Sequence, residues 1–371
     1  MAAKEIDQLS REHGDFFVPT FTVLVGERDI VRELFLTVSN VQLDLKERSP
    51  GQFSFTVANA FDLERREFVA MRDDKPIDLF KLFAFGSPVR VRLGYGEGPS
   101  LEMSGLVTEL STSFAAGGTP ELVVKGFDAL YPLTIGKSTR NWENEPDSTA
   151  VTDVAHQRKL KANPKRTTPV QKRIDQSQQT DMTFIESLAK RNQATFYLRG
   201  DELYFGPRHQ HDSPVVSLTW GLGLVSFAPE ANLARQVSEV RVHARSAMEG
   251  KEIVGKAGRG DESGRDSGAQ SGGERVQKAL SSTPVLSLRA PVHTQAEADE
   301  RAKALLDERA QDFVTGSGEC IGMPEIVPDV NIELGGMGHG FSKPYWVSEA
   351  THALDGGGYK TTFKVQETTV R

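Results

Sequence analysis

Two imidazoles and a carboxylate stand together in His209-Gln210-His211-Asp212, side chains of the type that bind a divalent metal. The competing reading of His209, His211 and Asp212 is an exposed linker after a hairpin. His243 and His352 stand alone, with no serine or cysteine partner identifiable for nucleophilic catalysis. Glu186 and Lys190 offer an acid and a base four residues apart, and on an exposed helix face that spacing makes a surface ion pair. Asp201 and Glu202 flank a turn, which gives no glycosidase-like carboxylate pair. The glycine-rich pieces GLGL (221–224), GGMGHG (335–340) and GGGY (356–359) do not match a phosphate loop and read as tight turns in β structure. The sequence therefore predicts no catalytic constellation and no cofactor, and the chain is expected not to be an enzyme.

Composition narrows the partners. With 44 basic and 51 acidic residues among 371, a net charge of -7, there is no global electrostatic case for nucleic acid or an anionic membrane. The basic stretch QRKLKANPKRTTPVQKR (157–173) lacks interleaved aromatics and reads as a solvated face or a contact with an acidic partner. A lone Cys320 excludes an internal disulfide framework, and no Cys/His spacing matches structural zinc, so maturation in a reducing cytoplasm is expected. Neither an apolar signal region at the start nor a membrane-spanning run is present in the sequence.

The elements that must position these residues are mostly strands. Val41, Leu43 and Leu45 alternate with Gln42, Asp44 and Lys46, and Val89, Val91 and Leu93 alternate with Arg90 and Arg92, which predicts half-buried strands. A helical or irregular connection is expected around 62–82. The stretch TDMTFIESLAKRNQATFYLRGDELYFGPR (180–208) reads as a helix with Thr183 and Glu186 at capping-box spacing, followed by a hairpin. Its Phe184, Ile185, Leu188, Phe196, Leu203 and Phe205 are expected to serve packing. Alternation returns at Val240, Val242 and Ala244 and again at Tyr359–Val365. Between them, 255–277 is dense in Gly, Ser and charge and is expected to be a mobile loop. Thr294 to Phe313 reads as a helix whose narrow stripe of Ala298, Ala302, Leu306 and Ala310 suits close packing on a sheet.

The expected fold is mainly β, α+β overall: a polar N-terminal extension (1–17), a first β-barrel domain (18–133), a connecting α+β domain (134–212) and a second β-barrel domain (213–371) carrying the late helix. That order resembles the phage late control gene D proteins and the hub part of VgrG-type spike proteins, which are similar to the baseplate hub of contractile phages. The resemblance is carried by FGSPVRVRLGYGEG (85–98), DMTFIESLAKRNQATFYLRGDELYFGPR (181–208), LTWGLGLVSFAPEANLARQVSEVRVHA (218–244), AEADERAKALLDERAQDFVTGSGECIGMPEIVPDVNIEL (296–334) and KPYWVSEATHALDGGGYKTTFKV (343–365). It implies a homotrimer whose six tube-like barrels adapt the sixfold inner tube to a threefold spike. It implies as partners an inner tube protein, LysM-type adaptor and wedge proteins, and a separate spike-tip protein with a β-helical needle, since the chain stops after its last strand. Assembly in the cytoplasm into a virion tail or injection particle is expected, with cargo or DNA passing through a lumen. Gln42, Asp44, Lys46, Arg90 and Arg92 are candidates for lining that lumen, with the outer surface as the alternative. The rival from another class is a baseplate-associated cell-wall hydrolase.

Overall fold

The computed structural model describes residues 3–72, 75–96, 100–245, 251–262, 269–290, 292 and 294–370. The mainly β architecture expected from the alternation is found. One continuous sheet of 13 strands passes through both β units. Its first part runs, in spatial order, through Arg28–Asp29, Pro19–Val25, Pro88–Tyr95, Ser100–Ser111, Leu122–Asp128, Gln52–Ala58 and Thr37–Lys46. The alternating residues explain why it curls: Val41, Leu43, Phe53, Phe55, Val89, Val91, Leu93 and Val124 all turn to one face and are buried in one core.

The second part is a closed ring. Lys343–Asp355, Asn331–Gly335, Val216–Trp220, Gly223–Ala231, Val314–Ile321 and Gly358–Glu367 are joined in that order, and the last pairs back onto the first. Closure leaves no free strand edge in this ring. The two parts share a seam, where Thr37–Lys46 pairs antiparallel with Lys343–Asp355 from Val41↔Leu354 to Lys46↔Glu349.

Three features differ from the expectations. The N-terminal residues are no outlying polar extension: Ile6–Glu12 is a short helix whose Leu9 is buried in the barrel core, and the buried His13 ring hydrogen-bonds Glu325 at 2.9 Å. A seven-residue helix with two large apolar side chains gives too little periodicity to declare itself. The connection around 62–82 is chiefly a hairpin, Val69–Arg72 with Lys75–Asp78, followed by the one-turn helix Leu79–Leu82. The stretch 255–277 is not a loop over most of its described length. Strand Glu252–Gly258 pairs with Glu239–Arg245, and helix Gly272–Leu280 begins at a capping box formed by Ser271 and Glu274. The composition was polar because both elements show solvent one face; residues 263–268 of that stretch lie outside the described residues.

The late helix, Gln295–Gln311, lies on the second unit. It packs on the three-stranded sheet of Glu252–Gly258, Glu239–Arg245 and Val285–Arg289, where Ala302 and Leu306 meet Val240, Val242 and Ala257. Just beyond its end, Phe313 enters the barrel core. The small-residue stripe is required: a Cβ on Gly255 would lie 2.1 Å from the carbonyl carbon of Ala298. The connecting unit contains helices Asp147–Gln157 and Asp181–Arg191, the hairpin Ala194–Arg199 with Glu202–Pro207, and strand Lys161–Pro164 added parallel to the hairpin. Its helix cap is Thr180, whose hydroxyl accepts the Thr183 N–H at 3.1 Å, one turn before the Thr183 and Glu186 spacing suggested.

Candidate functional site

The connecting unit meets the barrel at Asp329 and the first sheet at Glu47. Gly322 to Val330 links two barrel strands, and Pro324 and Pro328 keep it irregular. Asp329 takes φ +67°, a conformation that aspartate tolerates better than most residues, and its N–H donates to the Val347 carbonyl at 2.9 Å. Its side chain is fully buried and its carboxylate is surrounded by donors. Oδ1 accepts the His209 backbone N–H at 2.8 Å and the Trp346 indole N–H at 3.0 Å. Oδ2 accepts the Tyr197 hydroxyl at 2.9 Å and faces His209 Nδ1 at 2.5 Å. An ionised carboxylate only accepts, so Nδ1 of His209 carries the proton.

Aromatic and cationic groups close the site. Arg199 donates to the Tyr197 hydroxyl at 2.7 Å and lies over the Tyr197 and Tyr204 rings. Burial first, then the Asp329 charge, push the Tyr204 hydroxyl up to about 12 and raise Tyr197 in the same direction. On the first-sheet side, Glu47 accepts from Arg208 at 3.2 Å and from the Thr195 hydroxyl at 2.5 Å, while the Arg208 guanidinium sits 4.6 Å from the centre of the Trp346 ring. Arg48 donates to the Ala194 carbonyl at 2.6 Å. Asn331 donates to the carbonyls of His209 at 2.7 Å and Asp212 at 2.8 Å. The arrangement ties the connecting unit to the barrel and to the first sheet, and the Asp329 carboxylate is fully engaged, while the buried Nε of Arg48 has no hydrogen-bond partner among the described residues.

The sequence-derived candidates fall into three places. His209, His211 and Asp212 are not assembled as a metal set: His209 is committed to Asp329, Asp212 gives its backbone carbonyl to Asn331, and His211 is exposed. Among the described residues no group of three or more His, Cys, Asp or Glu is placed to hold a metal ion. Phe184, Ile185, Leu188, Phe196, Leu203 and Phe205 lie in one buried core with Val151, Val154 and Ile174. Glu186 and Lys190 form an exposed pair at 2.8 Å.

Gln42, Asp44 and Lys46 point away from the first core, as do Arg90 and Arg92 four strands further along. Each is matched. Gln42 donates to Asp44 at 2.8 Å, Asp44 accepts the Thr351 hydroxyl at 2.7 Å, and Lys46 meets Glu349 at 2.6 Å. Arg92 and Arg90 share Glu102 at 2.6 and 3.5 Å. Across the seam the ladder continues through Glu349 with Lys364 at 2.8 Å and Lys360 with Glu319 at 3.7 Å. Partial burial would raise the Glu349 carboxyl, but hydrogen bonds from Lys364 and Lys46 leave it below the usual range. The result is a polar, charge-compensated wall that crosses from the first sheet into the barrel without a break.

Each unit also buries a titratable group away from these surfaces. In the barrel, His352 donates from Nε2 to the Ile326 carbonyl at 2.9 Å, with Nδ1 2.9 Å from the Tyr359 hydroxyl; burial pushes it down to about 4. In the first unit, Asp128 accepts the Gly51 N–H at 2.7 Å and the Leu130 N–H at 2.9 Å, and burial outweighs both to push it up to about 6.

Asp329, Tyr197, Trp346, Asn331 and Glu47 were not legible in the sequence as one site. The signal available was the pair of polar residues Asp329 and Asn331 flanking Val330 just after Pro328, in a stretch too irregular for a strand.

This architecture, two β units joined at a seam with a connecting α+β unit clipped across it, is a baseplate-hub-like fold shared with solved phage-tail and secretion proteins. The 43 kDa tail protein of prophage MuSo2 from Shewanella oneidensis matches with TM-score 0.70 and 13% identity over 94% of this chain and 98% of that one. A tail protein from Neisseria meningitidis MC58 matches with TM-score 0.67 and 14% identity, over 95% and 97%. The E. coli c3393 protein, a component of the type VI secretion system with structural similarity to T4 bacteriophage tail proteins gp27 and gp5, matches with TM-score 0.54 and 11% identity, over 94% and 77%. No curated protein matches the sequence. Residues 70–356 match the family described as the Alg8 N-terminal domain, and the chain belongs to that family.

Proposed function

We propose that the chain is the structural hub of a phage tail or phage-like contractile injection particle, of the late control gene D and VgrG kind. Three copies form a ring in which each contributes two tube-like units, so that one face meets a sixfold inner tube and the other a threefold spike. The observation that carries this reading is the uninterrupted polar wall from Gln42, Asp44 and Lys46 through Thr351 and Glu349 to Lys364, Lys360 and Glu319. A chain with two β units that share one hydrophilic wall supplies two neighbouring segments of a tube per copy. Heterologous contacts between copies then close the ring.

In this role the lining carries balanced charge, so that cargo or DNA slides past without being held by an excess of either sign. The Asp329 junction keeps the two units in fixed register when the sheath drives tube, hub and spike together. The partners are the inner tube protein, a separate spike-tip protein, and adaptor and wedge proteins of the baseplate; the hub works by geometry and not by catalysis. It is assembled in the cytoplasm and resides in the particle. Among the described residues no helix is long and apolar enough to cross a membrane.

Native mass spectrometry of the purified chain, alone and with its candidate spike, tests the reading. A three-chain species supports it, and a single chain under both conditions overturns it. A zymogram on cell-wall material separates it from a hydrolase, since the hub leaves no clearing.

A further inference from the structure

A recess of about 220 Å³ lies where the first unit, the hairpin of the connecting unit and the barrel link come together. Leu45 and Leu101 line it from the first unit, Leu198 from strand Ala194–Arg199, and Val327, Pro328 and Val330 from the link before strand Asn331–Gly335. Two glycines on its wall, Gly51 and Gly200, put no side chain into the space. Gly200 turns the hairpin at φ +61°, and a Cβ on Gly51 would lie 2.9 Å from Oδ2 of Asp128, an acid that also lines the recess.

Of the charged residues around this recess, Lys46, Glu102 and Arg199 are already engaged. Lys46 is paired with Glu349 and Glu102 with Arg92, each at 2.6 Å, while Arg199 donates to the Tyr197 hydroxyl at 2.7 Å and lies over two tyrosine rings. Asp128 differs. It is 7% exposed, accepts the backbone N–H groups of Gly51 and Leu130, and has no ion pair among the described residues. A buried carboxylate without a counter-charge is costly, and its rise to about 6 expresses that cost. An ammonium group beside Asp128 supplies the missing charge. A metal ion needs more ligands than one acid, and among the described residues no such group is assembled.

We propose that the recess binds a small amphipathic amine, with its ammonium on Asp128 and its apolar body, the size of an aromatic ring with a short arm, against Leu45, Leu101, Leu198, Val327, Pro328 and Val330. The volume fits, since a cavity of about 150 Å³ lined by apolar side chains takes up benzene. An anion is disfavoured: it brings a second negative charge towards Asp128 and finds Lys46 and Arg199 already engaged. Because the walls come from three units, an occupant ties them together. The site is complete within one chain and does not depend on the ring proposed above.

The test is fluorine NMR on the full chain, with para-fluorophenethylamine as the probe and para-fluoroethylbenzene and para-fluorophenylacetate as its neutral and acidic counterparts. A dissociation constant of about 1 mM is expected for so small an amine at neutral pH, with both counterparts at least about tenfold weaker. The empty carboxyl titrates at about 6 while the amine stays charged, so amine binding should strengthen about tenfold from about pH 5 to about pH 7. Asp128→Asn should remove that rise, and Val327→Phe, which fills the recess, should remove binding; cooperative melting shows that each variant is folded. The pH series on the native chain needs no variant. Equal binding of the neutral counterpart, preference for the acid, an amine affinity that stays constant across this range, or no amine binding by about 10 mM overturns the proposal.

Discussion

The two β units enclose their cores in different ways. The barrel joins Gly358–Glu367 back to Lys343–Asp355 and needs no outside neighbour. The first sheet ends at Arg28–Asp29 on one side and finds its neighbour on the other side by pairing with the barrel strand Lys343–Asp355. A closed ring carries its own order, whereas an open sheet depends on whatever fixes its borrowed edge. In this chain that is the ladder at the seam together with the Asp329 and Glu47 contacts of the connecting unit.

Removing the central carboxylate breaks this comparison most strongly. Asp329→Ala abolishes four hydrogen-bond acceptances in a buried setting and is expected to cost about 4 kcal/mol in chemical denaturation. Asp329→Asn, which tolerates the left-handed backbone and keeps one acceptor oxygen, costs about half as much. Hydrogen exchange should show strands Thr37–Lys46 and Gln52–Ala58 losing protection before the barrel does. A cost under about 1 kcal/mol for the alanine variant would mean that the junction does not hold the first sheet.

Acid distinguishes the two cores. His352 has its folded value at about 4, below the ordinary 6.5, so the unfolded chain binds the proton first and stability falls as pH drops from 6.5 to 4. Asp128 has its folded value raised to about 6 from 3.8, so its contribution runs the other way: it is full below 3.8 and lost as pH rises through 6. Each amounts to about 3 kcal/mol over its window, and in the native chain they oppose each other between pH 4 and 6. Urea midpoints against pH should therefore fall more steeply on acidification in Asp128→Asn than in the native chain, and should rise in His352→Gln. Parallel profiles for all three would contradict the assignment.

A smaller and more local effect is expected outside both cores. Gly255→Ala places a Cβ against the Ala298 backbone and should push helix Gln295–Gln311 off its sheet at a cost of about 2 kcal/mol. Exchange should quicken in that helix while barrel amides hold, and uniform loss would show that the helix and barrel unfold as one. The smallest effect is on the wall. Glu349→Gln releases Lys46 and Lys364 for a loss of about 0.5–1 kcal/mol that vanishes at high salt. Reversing Lys46 and Lys364 to glutamate should leave assembly intact and alter loading of the particle, and normal loading would remove these residues from the lining.

The strands were legible because period two is a property of local sequence: Val41 to Lys46 needs no partner to reveal which face is buried. The packing residues of the connecting unit were legible for the same reason, at helical and strand spacing around Phe184 and Phe205. Polar strand and helix faces in 255–277 imitated a loop, because the apolar residues that pin them, Ile253 and Val276, lie at or beyond its edges. Beyond the polar pair Asp329 and Asn331 after Pro328, the junction left no mark in the sequence. Glu47, Tyr197, His209 and Trp346 come from distant points in the chain, and nothing in the spacing of any one of them reports the others.

Negative-stain imaging of the purified protein, alone and mixed with its candidate spike, tests the central claim most directly. The account predicts threefold rings with a six-lobed outline, two lobes per chain around one polar bore. Particles that remain single two-lobed bodies under both conditions would contradict it.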